Sequence, residues 1–251
     1  MQPSGTDTGS RRVAVVTGGT RGIGAAVARQ LAAADVDVVA VYRGDTAAAE
    51  ELAATSERIT TAQVDISDAE ACAELVGRVV AEHGRLDHLV NNAGLLVEAS
   101  SVDTEPAVWD RVVSVNLAAA FHLSRAAIPV MRAAGFGRIV NVSSVTAVMG
   151  SASEAAYGAA KAGLHGLTRS LARETARGGI TVNCVVPGVF ETDMTASMPE
   201  RTQQAILRMI PVGRRGHPDE LARAVCFLLA DDAGYLTGSV LTVDGGLSMG
   251  G

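Results

Sequence analysis

A tyrosine and a lysine stand four residues apart, Tyr157 and Lys161, and a serine precedes them at Ser144. On a helix, positions i and i+4 share one face, so the ammonium and the phenol would be neighbours. A nearby positive charge favours the phenolate and lowers the pKa of a tyrosine, which prepares it for proton transfer near neutral pH. A serine hydroxyl beside it can hydrogen-bond a substrate carbonyl. The three residues together indicate acid–base chemistry on a carbonyl or an alcohol.

A glycine-rich segment lies near the start of the chain, where residues 17–24 read TGGTRGIG. It follows a β-branched run, Val13–Thr17, and opens an alanine-rich helical pattern. A strand, a glycine turn and a helix in this order let backbone N–H groups approach a pyrophosphate. An ordinary glycine turn is the alternative interpretation, but the position at the first βα turn favours nucleotide binding.

The end of the second predicted strand bears on the choice of nucleotide. Tyr42 and Arg43 stand where dinucleotide folds that select NAD place an acidic residue, and the nearest acid, Asp45, lies beyond Gly44. Arg43 and Arg21 could flank a 2′-phosphate through charge-assisted hydrogen bonds. Two solvated surface arginines are the alternative. The missing acid favours NADP (NADPH) as the cofactor.

The elements that must position these residues alternate along the chain. Strands are predicted over Val13–Thr17, Val36–Tyr42, Ile59–Asp65, Leu86–Asn91, Arg138–Ser143, Ile180–Val186 and Val240–Val243. Helices are predicted over Gly22–Ala34, Thr46–Ala54, Asp68–His83, Pro106–Ala134, Ala155–Ala176 and Pro218–Ala230, with Val189–Pro211 irregular or short-helical. Pro129 should kink or end its helix. The alternation implies right-handed crossovers and a parallel sheet.

This pattern predicts one doubly wound, Rossmann-type α/β domain of about seven strands over residues 11–251. Residues 1–10, rich in Gly, Ser and Thr, are expected to form a flexible tail. They lack the apolar core of a signal peptide, which favours a cytoplasmic protein.

Composition excludes several classes of protein. The 251 residues are 48% hydrophobic and 19% charged, which excludes a disordered chain. No uninterrupted apolar run reaches the ~18 residues of a membrane span. A net charge of −6 and an aromatic content of 3% make nucleic acid an unexpected partner. Cys72, Cys184 and Cys226 are far apart, so neither a disulfide framework nor a metal site is expected.

Taken together, the motifs resemble those of the short-chain dehydrogenase/reductase family. The matching features are TGxxxGxG at 17–24, NNAG at 91–94, Asn116, Ser144, the pair Tyr157 and Lys161, and Pro187-Gly188. The match runs from about Arg12 to Gly246. Its order and spacing are most similar to the bacterial 3-oxoacyl-[acyl-carrier-protein] reductase branch, as are ETDM at 191–194 and VDGG at 243–246.

The resemblance implies a role for each catalytic candidate. Tyr157 would donate the proton in carbonyl reduction. Lys161 would bind the nicotinamide ribose and lower the pKa of Tyr157. Ser144 would orient the substrate carbonyl, and Asn116 would hold a water that links Lys161 to a proton relay.

The resemblance also implies a set of cofactor contacts, for some of which the sequence allows a structural role instead. Asp65 and Asn92 could equally cap local turns. Besides Tyr157 and Lys161, the cofactor-binding candidates are Gly18, Thr20, Arg21, Gly22, Ile23 and Gly24 at the phosphates, Asp65 and Ile66 at the adenine, Asn92, Ala93 and Gly94 at the adenosine ribose, Phe190 and Thr192 at the carboxamide, the motif residues Pro187 and Gly188, and Arg43, named above for the 2′-phosphate.

The substrate is left open among related classes. The resemblance implies an NADPH-dependent ketoreductase acting on a 3-oxoacyl thioester, carried by acyl carrier protein or CoA. Arg132 and Arg177 are displaced from the positions that dock carrier proteins in that branch. A polyketide-type carbonyl reductase or an alcohol dehydrogenase of the family therefore remains an alternative. A non-enzymatic nucleotide-binding scaffold is disfavoured because Tyr157 and Lys161 are both present.

The two longest predicted helices point to self-association. Each carries apolar residues on more than one face, and a second apolar face would mark an interface. The residues concerned are Val112, Val113, Leu117 and Phe121 on the first helix and Leu164, Leu167 and Leu171 on the second. In the family these helices pair across a two-fold axis, so the resemblance implies a homotetramer. Burial of both faces within one subunit is the alternative.

Overall fold

The computed structural model describes residues 11–192 and 200–249, so the tail predicted for residues 1–10 lies outside the described residues. Seven parallel strands form one sheet in the order β3-β2-β1-β4-β5-β6-β7. The strands are β1 Val13–Thr17, β2 Asp37–Tyr42, β3 Ile59–Gln63, β4 His88–Asn91, β5 Gly137–Val142, β6 Ile180–Pro187 and β7 Val240–Val243. The predicted doubly wound α/β class is confirmed.

Helices follow the strands as the alternation predicts. They are α1 Gly22–Ala33, α2 Thr46–Ala53, α3 Ala69–His83, α4 Pro106–Val113, α5 Ala119–Ala134, α6 Thr146–Met149, α7 Ala155–Thr175, α8 Glu200–Met209 and α9 Pro218–Leu229. Capping residues set several ends: Asp68 accepts from the N–H groups of Glu70 and Ala71 at the start of α3, and Gly84 ends that helix at φ 75°.

The core lies on both faces of the sheet, because successive strand residues point to opposite sides. On one face Val16, Val140 and Val185 pack with residues of α1 and α9. On the other face Val15 and Ile139 pack with residues of α3, α5 and α7. Strands buried on both faces explain the near-continuous Val and Ile runs of the sequence.

The long helix predicted over Pro106–Ala134 ends at the predicted residue but is interrupted by a π-helical turn. Pro129 lies inside α5 and does not end it; the helix continues to Ala134 and ends at Gly135, where φ is 65°. A π-helical turn, Ser114–Ala118, separates α4 from α5. Residues 106–134 are long and apolar enough to pass as a membrane span. Their buried residues pack against α3 and the sheet, as in the core helix of a globular domain.

Candidate active site

A cavity of about 660 Å³ opens at the carboxyl edge of the sheet, where the strand order reverses between β1 and β4. Ligands of open α/β sheets bind at this kind of switch point. Among the predicted site residues, Gly24 and Asn116 do not line the cavity. Those that line it are Gly18, Thr20, Arg21, Gly22, Ile23, Arg43, Asp65, Ile66, Asn92, Ala93, Gly94, Ser144, Tyr157, Lys161, Pro187, Gly188, Phe190 and Thr192.

The glycine-rich turn is compact enough to require its glycines. A Cβ at Gly24 would lie 2.0 Å from the carbonyl oxygen of Gly18. The backbone of Gly18 has a φ of 58°, a conformation that favours glycine. Helix α1 begins at Gly22, and its N-cap residue Arg21 makes no side-chain cap hydrogen bond among the described residues. A helix N-terminus without a side-chain cap at the rim of a cavity suits a phosphate group.

The arginines expected at a 2′-phosphate both line the cavity, but they differ in their contacts. The Arg21 guanidinium lies 3.3 Å from a carboxylate oxygen of Asp45, and both side chains are exposed. Asp45 also caps α2 by accepting from the N–H of Ala48 at 3.1 Å. Arg43 is exposed beside Asp65, and its charge contributes to the low pKa of that carboxyl. Of the two arginines, Arg43 is therefore the better placed to meet an added phosphate.

Asp65 and Asn92 have the turn-capping contacts that the alternative interpretation predicts. Asp65 accepts hydrogen bonds from the hydroxyl and the N–H of Ser67, at 2.6 Å and 3.0 Å, and these lower its pKa. The Asn92 amide donates to the carbonyl oxygens of Thr17 and Gly18, at 2.9 Å and 3.1 Å. Both residues thus shape the cavity wall as well as lining it.

The catalytic candidates meet where β5 ends against α7. The Ser144 hydroxyl lies beside the phenol of Tyr157, close enough to lower its pKa. Lys161 is 2% exposed, and its ammonium donates to the carbonyl oxygen of Val142 at 2.8 Å. The Lys161 nitrogen lies 5.8 Å from the centre of the Tyr157 ring. The helical i, i+4 spacing thus places the two side chains on one face, as predicted.

The ionisation of the tyrosine differs from the expectation. Burial raises the pKa of Tyr157, the neighbouring Ser144 hydroxyl lowers it in part, and the charge of Glu154 raises it further. Burial also lowers the pKa of Lys161 to about 8. The expected lowering of the Tyr157 pKa by Lys161 is therefore wrong for this structure, since burial prevails. Tyr157 is held as a neutral phenol, the form that can donate a proton.

Asn116 is held by the π-helical turn, which no sequence pattern signalled. Its amide donates to the carbonyl oxygens of Leu95 and Val112, both at 2.8 Å, and its carbonyl oxygen accepts from the N–H of Leu95 at 3.2 Å. A Cβ at Gly94 would lie 3.1 Å from this Asn116 oxygen and 3.5 Å from the Lys161 nitrogen. The absence of a side chain at Gly94 therefore keeps the approach between Asn116 and Lys161 open.

Sequence reasoning missed an acidic residue in the cavity wall. Glu154 lies three residues before Tyr157 and accepts a hydrogen bond from the Thr146 hydroxyl at 3.1 Å. Both residues line the cavity, together with the apolar residues Leu96 and Ile206. The short helix α6, which presents Thr146, was not predicted, and so this contact had no signal in the sequence.

The cysteines pack as small apolar residues. Cys72 and Cys184 are buried and Cys226 is partly buried, each as a free thiol, and burial raises the pKa of each to about 11. Within residues 11–192 and 200–249, no three side chains of His, Cys, Asp or Glu are grouped as metal ligands would be.

Known proteins similar to this chain match it over nearly its whole length. A family model described as enoyl-(acyl carrier protein) reductase matches residues 18–248. The acetoacetyl-CoA reductase of Shinella zoogloeoides is 44% identical over 236 residues, which cover 94% of this chain and 98% of that protein. The 3-oxoacyl-[acyl-carrier-protein] reductase of Escherichia coli (strain K12) is 39% identical over 241 residues, covering 95% and 98%. The chain therefore belongs to the short-chain dehydrogenase/reductase family.

Proposed function

We propose that this protein is an NADPH-dependent ketoreductase that reduces a 3-oxoacyl thioester to the hydroxyacyl product. One observation carries the proposal: the Ser144–Tyr157 pair and Lys161 line the same cavity as the glycine-rich turn. The similar proteins named acetoacetyl-CoA reductase and 3-oxoacyl-[acyl-carrier-protein] reductase support this substrate class.

In this mechanism the residues of the chain polarise and protonate the carbonyl. NADPH, when bound, supplies the hydride for the carbonyl carbon. The Ser144 hydroxyl binds the carbonyl oxygen, and the neutral phenol of Tyr157 donates its proton to that oxygen as negative charge develops there. The ammonium of Lys161 places a positive charge near the Tyr157 ring. Asn116 would hold a water molecule in the relay that returns a proton to Tyr157. The N-terminus of helix α1 and the backbone at Gly18 would hold the phosphates of the cofactor.

The preference for NADPH rests on charge at the end of β2. Arg43 is exposed at the cavity rim and would pair with a 2′-phosphate. Asp45 partly neutralises the charge of Arg21. Arg43 would therefore be the principal contact of the 2′-phosphate. We expect the Kd for NADPH to be lower than that for NADH, as measured by quenching of protein fluorescence. Equal values would contradict this choice of cofactor.

Substrate class is tested by following NADPH absorbance with a panel of acceptors. The panel contains acetoacetyl-CoA, an acetoacetyl thioester on acyl carrier protein, and simple ketones without a thioester. Reduction of at least one thioester, with a higher kcat/KM than the simple ketones, is the expected result. Turnover restricted to simple ketones or to alcohols with NADP would contradict the thioester proposal and favour the related carbonyl reductase or dehydrogenase.

A homotetramer is supported by the apolar side chains left exposed on two separate parts of the subunit. Trp109 and Phe121 are 43% and 44% exposed on α4 and α5, and Phe227 is 56% exposed on α9. Two interfaces of this kind generate a tetramer. Of the apolar residues named on the two long helices, Val112, Leu164 and Leu171 are buried in the core of the subunit, whereas Phe121 is exposed. Light scattering at micromolar concentration should give the tetramer mass; a monomer mass would contradict it.

We propose that the protein is cytoplasmic and that its partners are small-molecule thioesters. The proposal includes no nucleic-acid partner and no membrane partner. Three free thiols are typical of a reducing compartment.

A further inference from the structure

Helix α7 contacts the end of β5 through three residues spaced four apart, and only two of them belong to the proposed catalytic group. The Tyr157 phenol lies beside the Ser144 hydroxyl, and the Lys161 ammonium donates to the carbonyl oxygen of Val142. One turn further on, the Nε2 atom of His165 lies 2.9 Å from the hydroxyl oxygen of Ser143. Three consecutive residues at the end of the strand thus face one side of the helix, and Val142 and Ser143 are hydrogen-bonded to it.

The donors and acceptors around Ser143 follow from its second contact. Its hydroxyl oxygen also lies 2.9 Å from the backbone carbonyl oxygen of Lys161. A carbonyl only accepts, so the single hydroxyl proton of Ser143 goes to Lys161. The Ser143 oxygen must then accept from the Nε2–H of His165. The protein thereby selects the histidine form that is protonated at Nε2.

Ser143 is 2% exposed, so water has little access to its hydroxyl. Removal of the histidine donor would leave a buried oxygen with an unmet acceptor site, which favours rearrangement of the strand end. Ser144 is the next residue, and its hydroxyl must stay aligned with Tyr157. Reacting groups lose rate steeply when they are displaced by a fraction of an ångström.

We propose that His165 is a positioning residue for the carbonyl-reducing centre: it locks Ser143 onto the turn of α7 that carries Lys161 and so keeps Ser144 in line with Tyr157. His165 itself touches neither Tyr157 nor the Lys161 ammonium in the contacts described. This inference rests on the proposed function for its kinetic test but has a second readout that does not.

The kinetic test compares His165→Leu, which removes the donor at similar volume, with His165→Gln, whose amide N–H can still donate. With acetoacetyl-CoA, His165→Leu should lower kcat by about tenfold, below the roughly hundredfold effect of a 1 Å misplacement. The KM for NADPH should stay within about twofold, because the cofactor contacts are untouched. His165→Gln should recover most of the lost kcat. Ser170→Ala, an exposed serine on the same helix, serves as the control.

The double variant tests whether the effect passes through Ser143. Ser143→Ala should lower kcat on its own, and adding His165→Leu should lower it no further, since the bond is already gone. Multiplying effects in the double variant would overturn the inference. Equal losses in His165→Leu and His165→Gln, or wild-type kcat in His165→Leu, would also overturn it.

An ultraviolet titration of tyrosine needs no substrate and separates this inference from the proposed function. The Ser144 hydroxyl beside Tyr157 lowers the pKa of the phenol. Misalignment in His165→Leu should therefore raise the Tyr157 pKa relative to wild type, while His165→Gln leaves it unchanged; Tyr157→Phe identifies the signal. An unchanged pKa in His165→Leu would overturn the inference even if thioesters are reduced. A raised pKa in a protein that reduces no thioester would refute the proposed function alone.

Discussion

Buried charges lie at both edges of the sheet, but they are treated differently. At the amino edge, Asp87 is 1% exposed and accepts from Arg12 at 2.9 Å, from Arg85 twice at 2.8 Å and from the N–H of Val13 at 2.8 Å. At the carboxyl edge, Lys161 is 2% exposed and donates to one carbonyl oxygen. Within residues 11–192 and 200–249, no carboxylate lies within ion-pair distance of Lys161.

The pKa values reflect this difference. Burial alone would raise the pKa of Asp87, yet its hydrogen bonds to Arg85, Val13 and Arg12 outweigh burial and lower it. Burial lowers the pKa of Lys161 to about 8 with no ion pair to oppose it. The buried charge at the amino edge is therefore neutralised by ion pairs, whereas the buried ammonium at the carboxyl edge has no carboxylate partner among the described residues. Substitutions at the two edges should consequently affect different measurements.

The largest effect should come from Tyr157→Phe, which removes the proton donor and keeps the ring. General acid catalysis contributes about 10²–10⁴-fold, so kcat should fall by about that factor. The Kd for NADPH and the thermal midpoint should change little, because the aromatic ring and its packing are kept. Single-turnover kinetics and calorimetry measure these quantities. A variant that retains most of its turnover would remove Tyr157 from the mechanism.

At the opposite edge, Asp87→Asn should lower the free energy of unfolding by about 3 kcal/mol, since it breaks a buried charge network. Urea unfolding measures this, and kcat/KM of the folded fraction should stay near wild type. Asp231→Asn is the matched control: Asp231 also pairs with Arg12, at 3.2 Å, but is 68% exposed, so its loss should cost under about 1 kcal/mol.

Asp87 also makes the free energy of unfolding depend on pH, and the direction of that dependence follows from its lowered pKa. Its folded pKa is lowered, so its contribution is fully present above the unfolded pKa of about 3.9. The contribution is lost as the pH falls through the folded pKa. In Asp87→Asn the acid-induced loss of stability should be smaller than in wild type. Identical acid unfolding of the two proteins would contradict this assignment.

A smaller effect is expected at the far end of the cavity, from Arg43→Asp. Loss of a charge-assisted phosphate contact should weaken NADPH binding by about 1.5–3 kcal/mol, and the new carboxylate should repel a 2′-phosphate. The preference for NADPH over NADH should shrink or invert in paired Kd measurements. Arg29→Asp, at an exposed position on α1, should leave the preference unchanged. An unaltered preference in Arg43→Asp would show that another residue selects the cofactor.

The smallest effect should be a shift in the pH profile of Glu154→Gln. Reduction needs the protonated phenol of Tyr157, so kcat falls as the pH rises through its pKa. The charge of Glu154 raises that pKa. Its removal should therefore move the alkaline limb of the profile to lower pH, while the acid side is unchanged. A limb displaced to higher pH would contradict the electrostatic role of Glu154.

Local spacing predicted much of the site because those residues act within one element. The Tyr157–Lys161 interval and the glycine turn before α1 each need only the geometry of a helix or a βα unit. The partner of Lys161, in contrast, is a carbonyl on a strand 19 residues earlier. The pairing of Arg21 with Asp45 likewise joins two separate loops. Contacts of this kind depend on how elements pack, which periodicity does not encode.

The π-helical turn Ser114–Ala118 was missed for a related reason. Its apolar and polar residues continue the helical pattern of both neighbours, so the sequence reads as one helix. The π-helical turn lies where the Asn116 amide donates to the carbonyl oxygen of Leu95 and accepts from the N–H of the same residue. That loop is distant in the chain, 21 residues away.

The π-helical turn also means that the position of Asn116 could change without a change in the packing of α4 and α5. A π-helical turn contains one residue more than an α-helical turn, so it is equivalent to a single-residue insertion. Loss of one codon at Ala118 would let α4 and α5 join as one regular helix, with the buried faces of both still aligned. Asn116 would lose its position while the core stayed packed. We therefore expect a deletion in this turn to disturb the site at Asn116 far more than it lowers the free energy of unfolding.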